Sequence, residues 1–292
     1  MRVWYRSVAR IRRMCSGSTP LETSTARSSP AARLPQEIIE IIIANLIYDK
    51  GSLRACSLTC YSWYIAAVPH LHHTLITRIY GLDKKSLWPN QLMYMHKLGL
   101  LPLVKKLHIT EGSRIDRMFI PGELNRFILP YFSALINVQE LGMDDLDISK
   151  FMPRSQRYFG HFLPTVRSLA LRSPKGTHRQ IIYFIGLFQH LEDLKLLYQQ
   201  VAFWKEPADD PTLVPPFVPP LRGRLTLRCF TRVSLLKVMI TLFGGIRFRY
   251  MDLFNVYGMR LLLHACAKTL ETFRLYPSDP RGEGVSLKVF KF

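Results

Sequence analysis

The stretch VKKLHI, residues 104–109, places apolar side chains at Val104, Leu107 and Ile109. The same spacing returns at Val138, Leu141 and Met143, then at Val166, Leu169 and Leu171. It recurs at Leu191, Leu194 and Leu196, at Phe248, Met251 and Leu253, and at Leu270, Phe273 and Leu275. Successive units begin 34, 28, 25, 57 and 22 residues apart, and the longest gap holds Leu225 and Leu227 near its middle as an eroded seventh unit. Scattered chance matches do not keep such a step, so the chain reads as a repeat array.

The last two apolar positions of each unit alternate as in a strand with one buried face. The first, three residues earlier, packs at the turn leading in. One strand and its return segment cannot bury their apolar face alone, but stacked units build a continuous core and a curved parallel sheet. Return helices are predicted at 125–135, 179–188, 234–243 and 259–268, and the alternation of Val285, Leu287 and Val289 predicts a closing strand over 284–292. Residues 206–220 carry six prolines, a density that resists helix and sheet. They read as a long loop between repeats, with a docking segment for a proline-recognising partner as the alternative. The expected class is α/β, with the solenoid over 101–292.

At 292 residues, 48% of them hydrophobic and 21% charged, the chain can bury a sizeable core. Its net charge is +19, of which residues 1–33 supply seven arginines against the single acid Glu22. This segment reads as a disordered basic tail, although its Arg- and Ser-rich, acid-poor composition is also that of a mitochondrial presequence. Elsewhere the excess is spread thinly, in pairs such as Lys84–Lys85 and Lys105–Lys106. A basic surface favours anionic partners, but no nucleic-acid-binding motif accompanies it, so nucleic acid is not an expected partner. The longest apolar runs, 38–47 and 233–246, are broken by Glu40 and Lys237 and fall short of the roughly 20 residues of a membrane span. Five scattered cysteines, Cys15, Cys56, Cys60, Cys229 and Cys266, without a secretory signal, fit a reducing compartment, cytoplasmic or nuclear.

Before the array lies LPQEIIEIIIANLIYDKGSLRACSLTCYSWYIAAVPHL, residues 34–71. Pro35 suits a first helical turn, and the isoleucines that follow make a helix apolar almost all round. Asp49-Lys50-Gly51 ends it, Ser52 caps a second helix to Leu58, and a third runs from Tyr61 to Val68, stopped by Pro69. With Leu34-Pro35, Glu37-Ile38, Ile42 and Leu46, then Leu53, Cys56 and Leu58, then Ser62-Trp63, the segment resembles the F-box family, especially its fungal members. Thr59 and Tyr61-Ser62 depart from the family's usual valine and basic-then-small pair. The resemblance implies an F-box at 34–75 that docks on the Skp-type adaptor of cullin-RING (SCF) ubiquitin ligases. It makes Leu34, Pro35, Ile38, Ile42, Leu46, Leu53, Leu58 and Trp63 the adaptor-facing or adaptor-supporting residues. A three-helix unit of this size is too small to bury its own apolar surface, which leaves one face for a partner or, alternatively, for capping the array. Leucine-rich repeats often follow an F-box in known proteins, which matches an irregular leucine-rich-repeat domain here. Residues 76–100 are expected to be linker helices.

Catalytic signatures are missing. Cys56 and Cys60 with His70, His72 and His73 are only loosely finger-like, and Cys56 falls within the apolar pattern, so no metal is expected. No phosphate loop, H-E-x-x-H helix or G-x-S-x-G elbow occurs. Asp144, Asp145 and Asp147 read as a solvated loop after a strand. No enzyme activity and no cofactor are expected. Binding belongs instead on the side chains between the buried ones, such as Lys106/His108/Thr110, Asp193/Lys195/Leu197 and Arg224/Thr226/Arg228. The last two strands add Tyr250, Phe254 and Tyr276 beside Arg274, residue types that anchor interfaces, together with Asp252. These five are the expected protein-substrate site. The function read from the sequence is substrate recognition in an SCF-type ligase, with a non-catalytic repeat scaffold lacking ligase association as the alternative.

Overall fold

A computed structural model turns the repeated triplets into neighbouring strands of one sheet. It describes residues 34–79, 88–111, 129–148, 160, 163–197, 221–228, 233–242, 246–254, 258–276 and 288–291. The tail at 1–33, the proline-rich segment, Cys15, Cys229 and residues 284–287 of the expected closing strand lie outside these. The chain divides into two compact units between His73 and Thr74.

The first unit is three helices, α1 (Gln36–Asn45), α2 (Lys50–Ser57) and α3 (Tyr61–His72). Ile39, Ile43, Leu53, Trp63, Ala66 and Ala67 form its core, with Ile42, Leu46, Cys56, Cys60 and Leu71 packed against it. Two boundaries differ from the expected ones. Asp49, rather than Ser52, caps α2: its carboxylate accepts from the Gly51 and Ser52 N–H groups at 2.9 and 3.1 Å and from the Ser52 hydroxyl at 2.6 Å. Helix α3 also runs through Pro69. Proline forfeits the bond its own nitrogen would make, but its fixed φ is helical, so one more turn follows.

The second unit is α/β. Strands β1 (Thr74–Ile79), β2 (Lys106–Glu111), β3 (Glu140–Asp144), β4 (Ser168–Arg172), β5 (Asp193–Leu197), β6 (Leu221–Arg228), β7 (Ile246–Phe254) and β8 (Thr272–Tyr276) stand in chain order and pair parallel. A ninth, β9 (Lys288–Lys291), joins β8 antiparallel at the edge, so the sheet is not parallel throughout.

The register carries the repeat. Leu107, Leu141, Leu169, Leu194, Leu225, Met251 and Phe273 are direct partners across successive strands, and Ile109, Met143, Leu171, Leu196, Leu227, Leu253 and Leu275 form the next rung. All are buried except Leu275, which is half-buried. A single-residue slip would turn both rungs to solvent, which is why the register is fixed. The triplets' leading residues, from Val104 to Leu270, are buried as well.

Helices among the described returns are α4 (Trp88–Lys97), α5 (Leu129–Phe132), α6 (His178–Gly186), α7 (Val233–Leu242) and α8 (Met259–Cys266). They lie near the expected positions: α5 ends at Phe132, short of the expected 135, with 125–128 outside the described residues, and α6 to α8 overlap their expected bounds to within two residues. Thr177 opens α6 with a capping box: its hydroxyl accepts from the Gln180 N–H, and the Gln180 side chain accepts from the Thr177 N–H.

One strand overturns an expectation. The 76–100 region begins not with a linker helix but inside β1, whose Leu75 and Thr77 pair with Leu107 and Ile109 and are buried like them. Among the described residues of this region, α4 keeps the helical reading, and 80–87 lie outside them. With Thr77 at the second apolar position and His72 at the leading one, this first repeat has no apolar triplet to find.

Candidate functional site

Helix α1 sorts its apolar residues onto two faces. Ile39 and Ile43, four apart, are fully buried, whereas Leu34, Ile38 and Ile41, spaced four and three, are 37%, 42% and 58% exposed. The three-residue spacing sets Ile38 and Ile41 on one side of the helix, and Leu34 lies just ahead of its first turn. Pro35 and Leu58 are exposed too. Of the eight residues expected to serve an adaptor, Leu34, Pro35, Ile38 and Leu58 are thus free to touch one. Ile42 and Leu46 are half-buried against the core, and Leu53 and Trp63 lie within it. Their place is support, because a residue packed on its own unit has no surface left to offer. Ile41 was missed; in a run of five isoleucines interrupted only by Glu40, sequence alone does not say which face turns inward. Burial pushes the Cys56 thiol up, in keeping with a packing role.

The face of the sheet opposite the buried rungs holds the second group. Tyr250, Asp252 and Phe254 alternate along β7, opposite Thr272, Arg274 and Tyr276 of β8 and Arg224, Thr226 and Arg228 of β6. Asp252 stands between two guanidiniums, with Arg224 Nε 4.0 Å and Arg274 Nε 3.9 Å from its carboxylate oxygens. Arg224 also lies over the Tyr250 ring, 5.7 Å from its centre, within reach of a cation–π contact. The Phe254 and Tyr276 rings stack at 3.8 Å and 6°. All five expected substrate residues therefore share one surface. Arg224 joins them through the β6–β7 pairing, which no spacing within one repeat could reveal. Strand β9 lies beside β8 in the plane of the sheet, and Tyr250 keeps 39% of its surface exposed.

The Asp144 side chain is not in a solvated loop. It ends β3 and accepts from His108 Nε2 at 2.9 Å, with Arg172 Nη1 3.7 Å away. Asp145 and Ser173 follow β3 and β4 with positive φ of 58° and 46°, and their N–H groups continue the ladder to the Arg172 and Leu197 carbonyls. Among the described residues, no three His, Cys, Asp or Glu side chains gather as metal ligands, and no helix is long and apolar enough to cross a membrane. Compared with protein-family models, curated proteins and solved structures, the chain matches none.

Proposed function

We propose that the chain is the substrate-recognition subunit of an SCF-type ubiquitin ligase. On this reading residues 34–75 are an F-box that docks on the Skp-type adaptor, and the strands behind it are an irregular leucine-rich-repeat solenoid whose outward side chains hold a protein target. The mechanism is proximity: tethering raises the target's local concentration near the transfer machinery, with no chemistry on this chain.

The observation that carries this reading is the exposed group of Leu34, Ile38 and Ile41, beside a helix whose Ile39 and Ile43 are buried and whose Ile42 is half-buried. Large apolar residues grouped on a small helical unit are what a partner surface requires. The test is capture of the purified adaptor by wild-type chain and by the Leu34→Ala/Pro35→Ala variant. Loss of capture in the variant is the expected result. Equal capture by both, or by neither, removes the ligase reading and leaves a repeat scaffold that binds protein on its own account.

A further inference from the structure

The outward face of the sheet changes character along its length. Across β2–β5 its charges balance and pair. Lys106 meets Glu140 at 2.7 Å, Asp144 sits between His108 and Arg172, and Lys195 meets Asp193 at 2.9 Å. Across β6–β8 they do not balance. Arg222, Arg224, Arg228, Arg247 and Arg274 stand against the lone carboxylate Asp252, while Arg249 is matched by Glu271 at 3.6 Å. Arg222, Arg228 and Arg247 are exposed, and no carboxylate among the described residues pairs with them.

We infer that the β6–β8 face is a docking surface for an extended acidic segment of a partner protein. The inference rests on the proposed target-holding role of this face, though not on any ligase. Three observations define the occupant. Arg222 and its register partner Arg247 mark one end, and Arg228 marks the other. Six residue steps along β6 separate Arg222 from Arg228, or roughly 20 Å at about 3.3 Å per step, so an extended segment of about six or seven residues spans them. The guanidiniums at both ends, which no carboxylate among the described residues engages, suit carboxylates, which they bind with two parallel hydrogen bonds. Between them lie the part-exposed Tyr250 and Asp252, the latter only 18% exposed at its side chain and engaged by two arginines, while the Phe254–Tyr276 stack lies level with Arg228. A polyphosphate backbone would have to carry charge over Asp252. A peptide can instead place neutral and apolar residues there and keep its acids for the ends.

The probe is a fluorescein-labelled peptide with glutamates at both ends and Gly-Leu-Gly at its centre, followed by anisotropy with the full chain at low salt. We expect binding that weakens several-fold as salt is raised and at least about tenfold in Arg222→Ala/Arg228→Ala/Arg247→Ala. Lys97→Ala/Lys268→Ala, at exposed lysines outside the sheet, leaves it within about twofold, and a peptide with lysine in place of glutamate does not bind. Arg247→Gln alone reports a smaller loss should the triple variant not fold. The proposal is overturned by no binding to wild type, by equal loss in the two sets of variants, or by an oligothymidine of equal charge binding more tightly than the peptide. Adaptor capture measured on the same preparations is independent: its absence with peptide binding intact ends the ligase reading and leaves this one standing.

Discussion

The imidazole of His108 lies over Gly142, its partner on the next strand, so closely that a Cβ on residue 142 would fall 2.7 Å from Nδ1. The missing side chain lets the ring lean across β3 and reach Asp144, two residues further on. Alanine normally suits a strand better than glycine. Here the sign reverses: Gly142→Ala is expected to cost about 1–2 kcal/mol by overpacking against the ring, read as a lower urea midpoint. An unchanged or higher midpoint contradicts this account of the His108–Asp144 pair.

Gly223 faces a harder constraint. Its φ is +88°, and a Cβ there would sit 2.1 Å from the Glu192 carbonyl oxygen, which also accepts from the Arg224 N–H at 2.8 Å. Backbone cannot swing aside as a ring can. Gly223→Ala should therefore destabilise by about 3 kcal/mol or more, the left-handed strain and the clash together. It should exceed the Gly142→Ala loss in the same denaturation series, and the reverse order would refute the comparison.

The two faces of α1 predict opposite consequences for neighbouring isoleucines. Ile43, fully buried, should cost about 2–4 kcal/mol when cut to alanine. Ile41, mostly exposed, should cost within about 0.5 kcal/mol. Under the proposed function Ile41→Asp keeps the unit folded yet weakens adaptor capture. A folded Ile41→Asp chain that captures normally would take Ile41 out of the adaptor-facing group.

Acid should loosen the helical unit in two separate windows. Burial, reinforced by the Arg54 charge, holds the His72 pKa below its ordinary range. The unfolded chain then takes up a proton that the folded chain resists, so stability is lost as pH falls below the unfolded value of about 6.5. His72→Gln should shrink the drop in urea midpoint between pH 7 and pH 5, and an equal drop would exclude His72 as its source.

Asp49 acts lower. Hydrogen bonds from the Ser52 hydroxyl, then from the Ser52 and Gly51 N–H groups, hold its carboxyl below the usual range. Its cap is present above about pH 3.9 and lost only below that. Asp49→Asn, which can still cap, should flatten the response there while leaving the pH 7 to 5 drop intact.

Much of this architecture is legible in the chain itself. Leu107, Leu141, Leu169, Leu194, Met251 and Phe273 betray their rung because a half-buried strand must alternate and a stack must repeat. Strand β1 escaped, since Thr77 does an apolar residue's work there, and burial rather than polarity defines the repeat. The antiparallel direction of β9 escaped as well, because alternation is the same whichever way a strand runs.

Local periodicity, then, was enough to determine strands β2 to β8, their buried rungs and the presence of a helical unit ahead of them. Only tertiary structure decided which isoleucines of α1 turn outward, that Arg224 and Arg274 close on one Asp252, and that His108 spans the gap left by Gly142. The reason is physical. Hydrophobic periodicity is written into each segment, whereas exposure and ion pairing depend on residues that meet only when distant segments fall into register.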